Sequence, residues 1–184
     1  MALIKVVALL LEYPDEALWE HQDELRELVS AQHPALLPFI DRYFGTPPLD
    51  MQAEWCALFE RGRATSLLLF EHVHAESRDR GQAMVDLMAQ YERAGLELNC
   101  RELPDYLPLY LEYLSMQPEA EAQQGLLDVA PILALIGGRL KERDSDFSAL
   151  FDTLLKVANS PLSSESVAAQ VASEKIGRAS CRER

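Results

Sequence analysis

From Ile4 to Leu155 apolar side chains return almost everywhere at intervals of three and four, the period of a helix with one buried stripe, and nowhere in a sustained alternation of two. The residue types agree with the period. Leucine occurs 31 times and alanine 22, against 17 for valine, isoleucine and threonine together, which favours helix over pleated sheet. The expected fold is therefore all-α, a single globular helical bundle of eight to ten helices. No period of 20 to 50 residues repeats, which argues against a solenoid. With 184 residues, one core can form without staples. Residues 1–176 are expected to make one helical domain, and residues 177–184 (GRASCRER) have the character of a vector-derived tail.

Punctuation sets the individual helices. Ile4, Val7, Ala8 and Leu11 form a first stripe that stops at Tyr13-Pro14. Asp15 is placed to cap one helix reaching His33-Pro34, with Leu18, Leu25, Leu28 and Val29 inward. Phe39, Ile40, Tyr43 and Phe44 line a short helix, and Asp50 is expected to cap the next, with Met51, Trp55, Leu58 and Phe59. Arg61 to Ser77 predicts a loop holding a brief buried helix. Met84, Leu87, Met88 and Tyr91 then run to a stop at Gly95. Asp105 is expected to cap a helix through Leu107, Tyr110, Leu111 and Leu114, and Asp128 to open another through Ile132, Leu135, Ile136 and Leu140. Phe147, Leu150, Phe151, Leu154 and Leu155 make the cleanest stripe, and Val167 with Val171 suggests one more short helix.

The charge balance narrows the partners. Net charge is -13, so nucleic acid and anionic membrane surfaces are repelled, and basic or apolar partners are favoured. No apolar run approaches the ~18 residues of a membrane span, so stable membrane insertion is not expected and the cytoplasm is. Cys56, Cys100 and Cys181 have no CxxC spacing, which suits a reducing compartment. Residues 61–101 are locally neutral and all six of their bases are arginines, suited to forked hydrogen bonds or to surface pairs with Glu71, Glu76, Asp79 and Asp86. His72 and His74 are metal-capable, but H-x-H shares a face only in a strand. No nucleophile elbow, phosphate loop or HExxH occurs, so neither enzyme chemistry nor a bound cofactor is expected. Glu102-Leu103-Pro104-Asp105-Tyr106 is the densest loop signal, and the tyrosines that follow it suit a peptide groove.

Four stretches carry a resemblance: Leu10 to Pro14 (LLEYP), Leu58 to Met84 (LFERGRATSLLLFEHVHAESRDRGQAM), Glu102 to Leu114 (ELPDYLPLYLEYL) and Asp128 to Leu135 (DVAPILAL). They closely resemble the NarJ family, the delta subunit or molybdenum cofactor assembly chaperone of respiratory nitrate reductase, within the wider TorD/DmsD group of redox-enzyme maturation proteins. The resemblance runs from about Leu10 to Asn159. It implies an all-helical, non-enzymatic chaperone. The implied partner is the N-terminal peptide of the apo catalytic (alpha) subunit, which is held while iron-sulfur cluster and molybdenum cofactor are inserted. Molybdenum cofactor delivery proteins are further implied partners. The group's E-P-x-D-H loop falls on Glu102 to Tyr106, where Tyr106 replaces the histidine and does not gain charge near neutral pH. Candidate peptide-binding residues are thus Arg61, Arg63, Glu102, Leu103, Pro104, Asp105, Tyr106 and Tyr110. Three alternatives stand beside this reading: maturation of another molybdoenzyme, a metal-binding or enzymatic protein using His72, His74 and Cys56, and a structural subunit whose apolar faces serve oligomerisation.

Overall fold

The computed structural model describes residues 2–73, 77–96 and 102–167, and every regular element among them is helical. Nine α-helices are bounded there: α1 (Ala2–Leu11), α2 (Ala17–Glu20), α3 (Gln22–Gln32), α4 (Leu37–Gly45), α5 (Pro48–Trp55), α6 (Ser77–Arg93), α7 (Leu107–Ser115), α8 (Glu119–Lys141) and α9 (Ser148–Val157). Residues 164–167 are helical as well. The expected all-α class is what the chain adopts.

Two compact units are distinguished, Met1–Ala122 and Gln123–Arg184. In the first, α1 is buried nearly all round, with Leu3, Ile4, Val6, Val7, Leu10 and Leu11 all inaccessible or nearly so, as a helix without a polar face must be. Its principal neighbour is α7, which contributes Leu107, Tyr110, Leu111 and Leu114, and α3 packs on both α1 and α4. Trp19 stacks on Tyr43, with ring centroids 5.4 Å apart. Helix α6 ends as its sequence predicts: Gly95 has φ 77° and Leu96 N–H donates to Tyr91 O at 3.0 Å, the left-handed stop that glycine adopts without strain.

Several expected helix starts fall elsewhere. The segment after Asp15 is two helices, broken at His21, although the Asp15 carboxylate does accept the Ala17 N–H at 3.1 Å. Asp50 caps nothing. Helix α5 begins at Pro48, whose missing N–H costs nothing there, and Asp50 lies inside its first turn. Asp128 opens no helix either, because α8 starts at Glu119 and runs through Asp128 and Pro131, with Ala122, Leu126, Ala130, Leu133 and Ala134 buried. The Asp128 carboxylate accepts from Gln124 Nε2, four residues back, at 2.8 Å. Residues 61–73 do form a loop with brief helical turns, Arg63–Thr65 and Leu69–His72, both 3₁₀. Val171 and residues 177–184 lie outside the described residues.

In the second unit a lysine at the end of α8 meets α9, with Lys141 Nζ 2.9 Å from Asp152. Gly137 lets two side chains approach the helix. A Cβ there would lie 2.2 Å from Ser164 Oγ and 3.0 Å from Phe151 Cβ. Gly137→Ala is therefore expected to destabilise the chain by about 1–3 kcal/mol through overpacking. Gly81→Ala, with nothing within 4 Å, should stabilise α6 by about 0.5–1 kcal/mol. Urea unfolding of both variants checks the pair, and equal shifts would contradict the packing argument.

Candidate functional site

The site is built on the turn that ends α1. Pro14 stops the helix, and two side chains of α5 then hold the turn: Trp55 Nε1 donates to Leu11 O at 2.9 Å, and Gln52 Nε2 donates to Pro14 O at 2.8 Å. Tyr13 packs edge-on against Trp55, with centroids 5.4 Å apart, yet stays 49% exposed. Beyond Trp55 the chain widens into a π turn, Cys56–Glu60, closed by Arg61 N–H donating to Cys56 O at 3.1 Å. Such turns re-aim side chains. Thr65 Oγ1 donates to Leu58 O and ties the following loop to this turn.

The opposite wall comes from a cross-connection between two loops. Leu107 N–H donates to Leu67 O at 2.8 Å and Leu69 N–H to Asp105 O at 3.0 Å, a single antiparallel bridge that sets Leu68 beside Tyr106. Asp105 is fully buried and its Oδ2 accepts the Phe70 N–H at 2.9 Å. The expectation that Asp105 caps α7 is corrected here: Tyr106 occupies the cap position, with no side-chain cap, and the carboxylate serves a backbone amide 35 residues away. Burial pushes the Asp105 carboxyl above its ordinary range. The Phe70 N–H and the Arg80 charge oppose that shift.

Between these walls lies a cleft of about 490 Å³ with Trp55, Phe59, Leu67, Leu68, Tyr13 and Tyr106 as its apolar surface. Glu60, Arg63, Ser66, Glu71 and Glu102 supply its polar edge. A second hollow of about 680 Å³ shares Tyr13, Glu102 and Tyr106 with it and adds Glu12, Asp15, Glu16 and Gln52, so the two make one open groove. Its outer part is acidic. The Glu12 carboxyl is raised by desolvation, then by the charges of Glu112 and Glu102, and the Tyr106 phenol is raised by burial, then by Glu12 and Glu102.

The candidate residues divide accordingly. Arg63, Glu102 and Tyr106 line the groove. Leu103 is 45% exposed, and Pro104 O accepts from the Tyr91 hydroxyl at 2.8 Å, fastening the loop to α6. Asp105 lies beneath the surface. Tyr110 is buried, its ring 6.2 Å from that of Tyr113, and Arg61 is exposed outside the lining. Tyr13, Trp55, Phe59, Glu12 and Glu16 also line the groove, and sequence reasoning misses them; the conspicuous Leu10 to Pro14 block is the signal that points to Tyr13. Of the expected surface pairs, Arg80 lies 3.7 Å from Glu71. His72 Nε2 is 2.8 Å from Ser66 O, while His74 lies outside the described residues. Among the described residues no three His, Cys, Asp or Glu side chains converge as a metal-holding group, and no helix is long and apolar enough to cross a membrane.

These features define an all-helical scaffold with an open groove, aromatic within and acidic at one end. The chain belongs to the family described as nitrate reductase delta subunit, whose sequence model matches residues 22–153. It is 62% identical over 175 residues to the probable nitrate reductase molybdenum cofactor assembly chaperone NarW of Escherichia coli (strain K12), covering 95% of this chain and 76% of that one. It is 56% identical over 181 residues to the nitrate reductase molybdenum cofactor assembly chaperone NarJ of the same strain, covering 95% and 77%. A more distant relative, a probable NarJ of Bacillus subtilis (strain 168), is 29% identical over 152 residues, 79% of this chain and 82% of that one.

Two stability measurements follow from the geometry. Asp105→Ala removes the Oδ2 acceptor of the Phe70 N–H from a buried site and is expected to cost about 1–3 kcal/mol, whereas Asp105→Asn keeps an acceptor and should cost less than half as much. Chemical unfolding that ranks the two equally would exclude the amide contact as the reason. A raised folded-state pKa means that the folded chain binds more protons than the unfolded one just above pH 4.5, the ordinary Glu12 value, so stability falls as pH rises through that window. Glu12→Gln removes this penalty. It should raise the melting temperature at pH 7 by up to about 2 °C and leave it unchanged below about pH 4, where both forms are neutral.

Proposed function

We propose that this chain is a maturation chaperone for a nitrate reductase, and that its groove holds the N-terminal segment of the catalytic subunit as an amphipathic helix. Family membership supports the chaperone role, and the groove itself carries the peptide reading. An aromatic and leucine surface takes the apolar face of such a helix, and surrounding carboxylates take basic side chains on its flank. A helix of about 15 residues is about 22 Å long. Bound in this way, the apo subunit is kept in the cytoplasm and open to molybdenum cofactor and iron-sulfur insertion, with cofactor delivery proteins as further partners. The role requires no bond-making step by this chain. Arg63, Glu102 and Tyr106 touch the peptide, Leu103, Pro104 and Arg61 border it, and Asp105 and Tyr110 hold the wall from behind.

Isothermal titration with a synthetic copy of the first ~15 residues of the catalytic subunit tests this; a helix of that length offers i, i+3, i+4 and i+7 anchors. One-to-one binding is expected, weaker at high salt because the carboxylates are exposed. Tyr13→Ala should weaken it about tenfold, the loss of one aromatic anchor. Equal affinity for wild type, Tyr13→Ala and Glu102→Gln, all folded, would place the peptide elsewhere.

A further inference from the structure

The charges along the groove are not evenly distributed, and this bears on which way round a helix lies in it. At one end stand Glu12, Asp15 and Glu16, with Glu102 shared between the two hollows, and among the described residues no basic side chain lines the Glu12 end. At the other end arginines accompany the carboxylates: Glu71 lies 3.7 Å from Arg80, and Arg63 lines the cleft along with Glu60. Arg63 is exposed and makes no ion pair with any described residue. A helix carries about half a positive charge at its N-terminus and half a negative charge at its C-terminus, and a free α-amino group adds a full charge to the first end.

We propose that the docked segment lies with its N-terminus against Glu12, Asp15 and Glu16 and its C-terminal end over Arg63. This rests on the peptide-docking reading above and adds a polarity to it. The opposite orientation would set unpaired helix carbonyls against Glu12, Asp15 and Glu16 and an amino terminus against an arginine. Each end is then worth about threefold in affinity. The groove consequently distinguishes a true chain terminus, with its α-amino group, from the same segment embedded in a longer chain, and an N-terminal extension on the partner weakens docking.

The test uses the full chain and two copies of the catalytic subunit's first ~15 residues, a length set by the groove-spanning helix. One carries a benzophenone photo-crosslinker near its first residue and the other near its last, with attachment sites read by mass spectrometry. The expected result is attachment of the first label within residues 12–16 or at Gln52, and of the last label within residues 60–71. The reverse pattern, or both labels at both ends equally, overturns the orientation while leaving the groove reading intact. Attachment outside the groove, or no binding, overturns both. In parallel, acetylating the peptide's α-amino group should weaken binding about threefold to wild type and clearly less to an Asp15→Asn, Glu16→Gln double variant, which keeps only Glu12 at that end and in which the Ala17 N–H keeps an acceptor. An equal loss in both proteins contradicts the placement.

Discussion

A single buried carboxylate decides whether this groove has a second wall. The loops at 66–72 and 102–106 hold only brief helical turns, so part of their backbone groups find partners across the loops rather than locally. Asp105 contributes twice, its carbonyl to Leu69 N–H and its side chain to Phe70 N–H. The cost is a charge held without water, visible as an upward shift of its pKa, and it is offset by the donor it satisfies and by the nearby Arg80. The side-chain contact adds to the two backbone bonds, Leu107 N–H to Leu67 O and Leu69 N–H to Asp105 O, that set Leu68 beside Tyr106.

The facing wall rests on a different device. Trp55 and Gln52 reach across to the carbonyls of Leu11 and Pro14, which are left over where α1 ends. Those bonds hold the Tyr13 turn rigidly enough for an aromatic ring to remain half-exposed at the rim. Groove shape is thus set by backbone hydrogen bonds of two helix ends and two loops, and its surface by side chains free to meet a partner. Burial of the Glu12 carboxyl, and then the charges of Glu112 and Glu102 beside it, raise its pKa and work against folding.

Much of the architecture was legible in the chain. The stripes of α1, α4, α7 and α9, the glycine stop at Gly95 and the broken stretch after Arg61 all depend on residues within four or five positions of one another, and helical structure is a local matter. Three of the departures share one cause. Asp50, Asp105 and Asp128 were each assigned as caps because aspartate favours that position, yet one lies in a first turn, one ties two loops and one pairs with a glutamine within a helix. A short carboxylate accepts from whichever donor the fold presents, and the donor's identity is not written beside it.

Sequence by itself determined the helical class, the absence of alternating strands, the acidic character of the first sixty residues and the family, since each depends on residue type or on short spacing. Only the tertiary structure decided that Tyr13, Trp55 and Tyr106 share one surface, that Glu12 and Glu102 face the same hollow, and that Asp105 supports the wall from within. Those residues are separated by some forty to ninety positions in the chain. What brings them together is the burial of α1 against α7 and the pairing of otherwise unsatisfied backbone groups, forces that act through space and leave no period in the sequence.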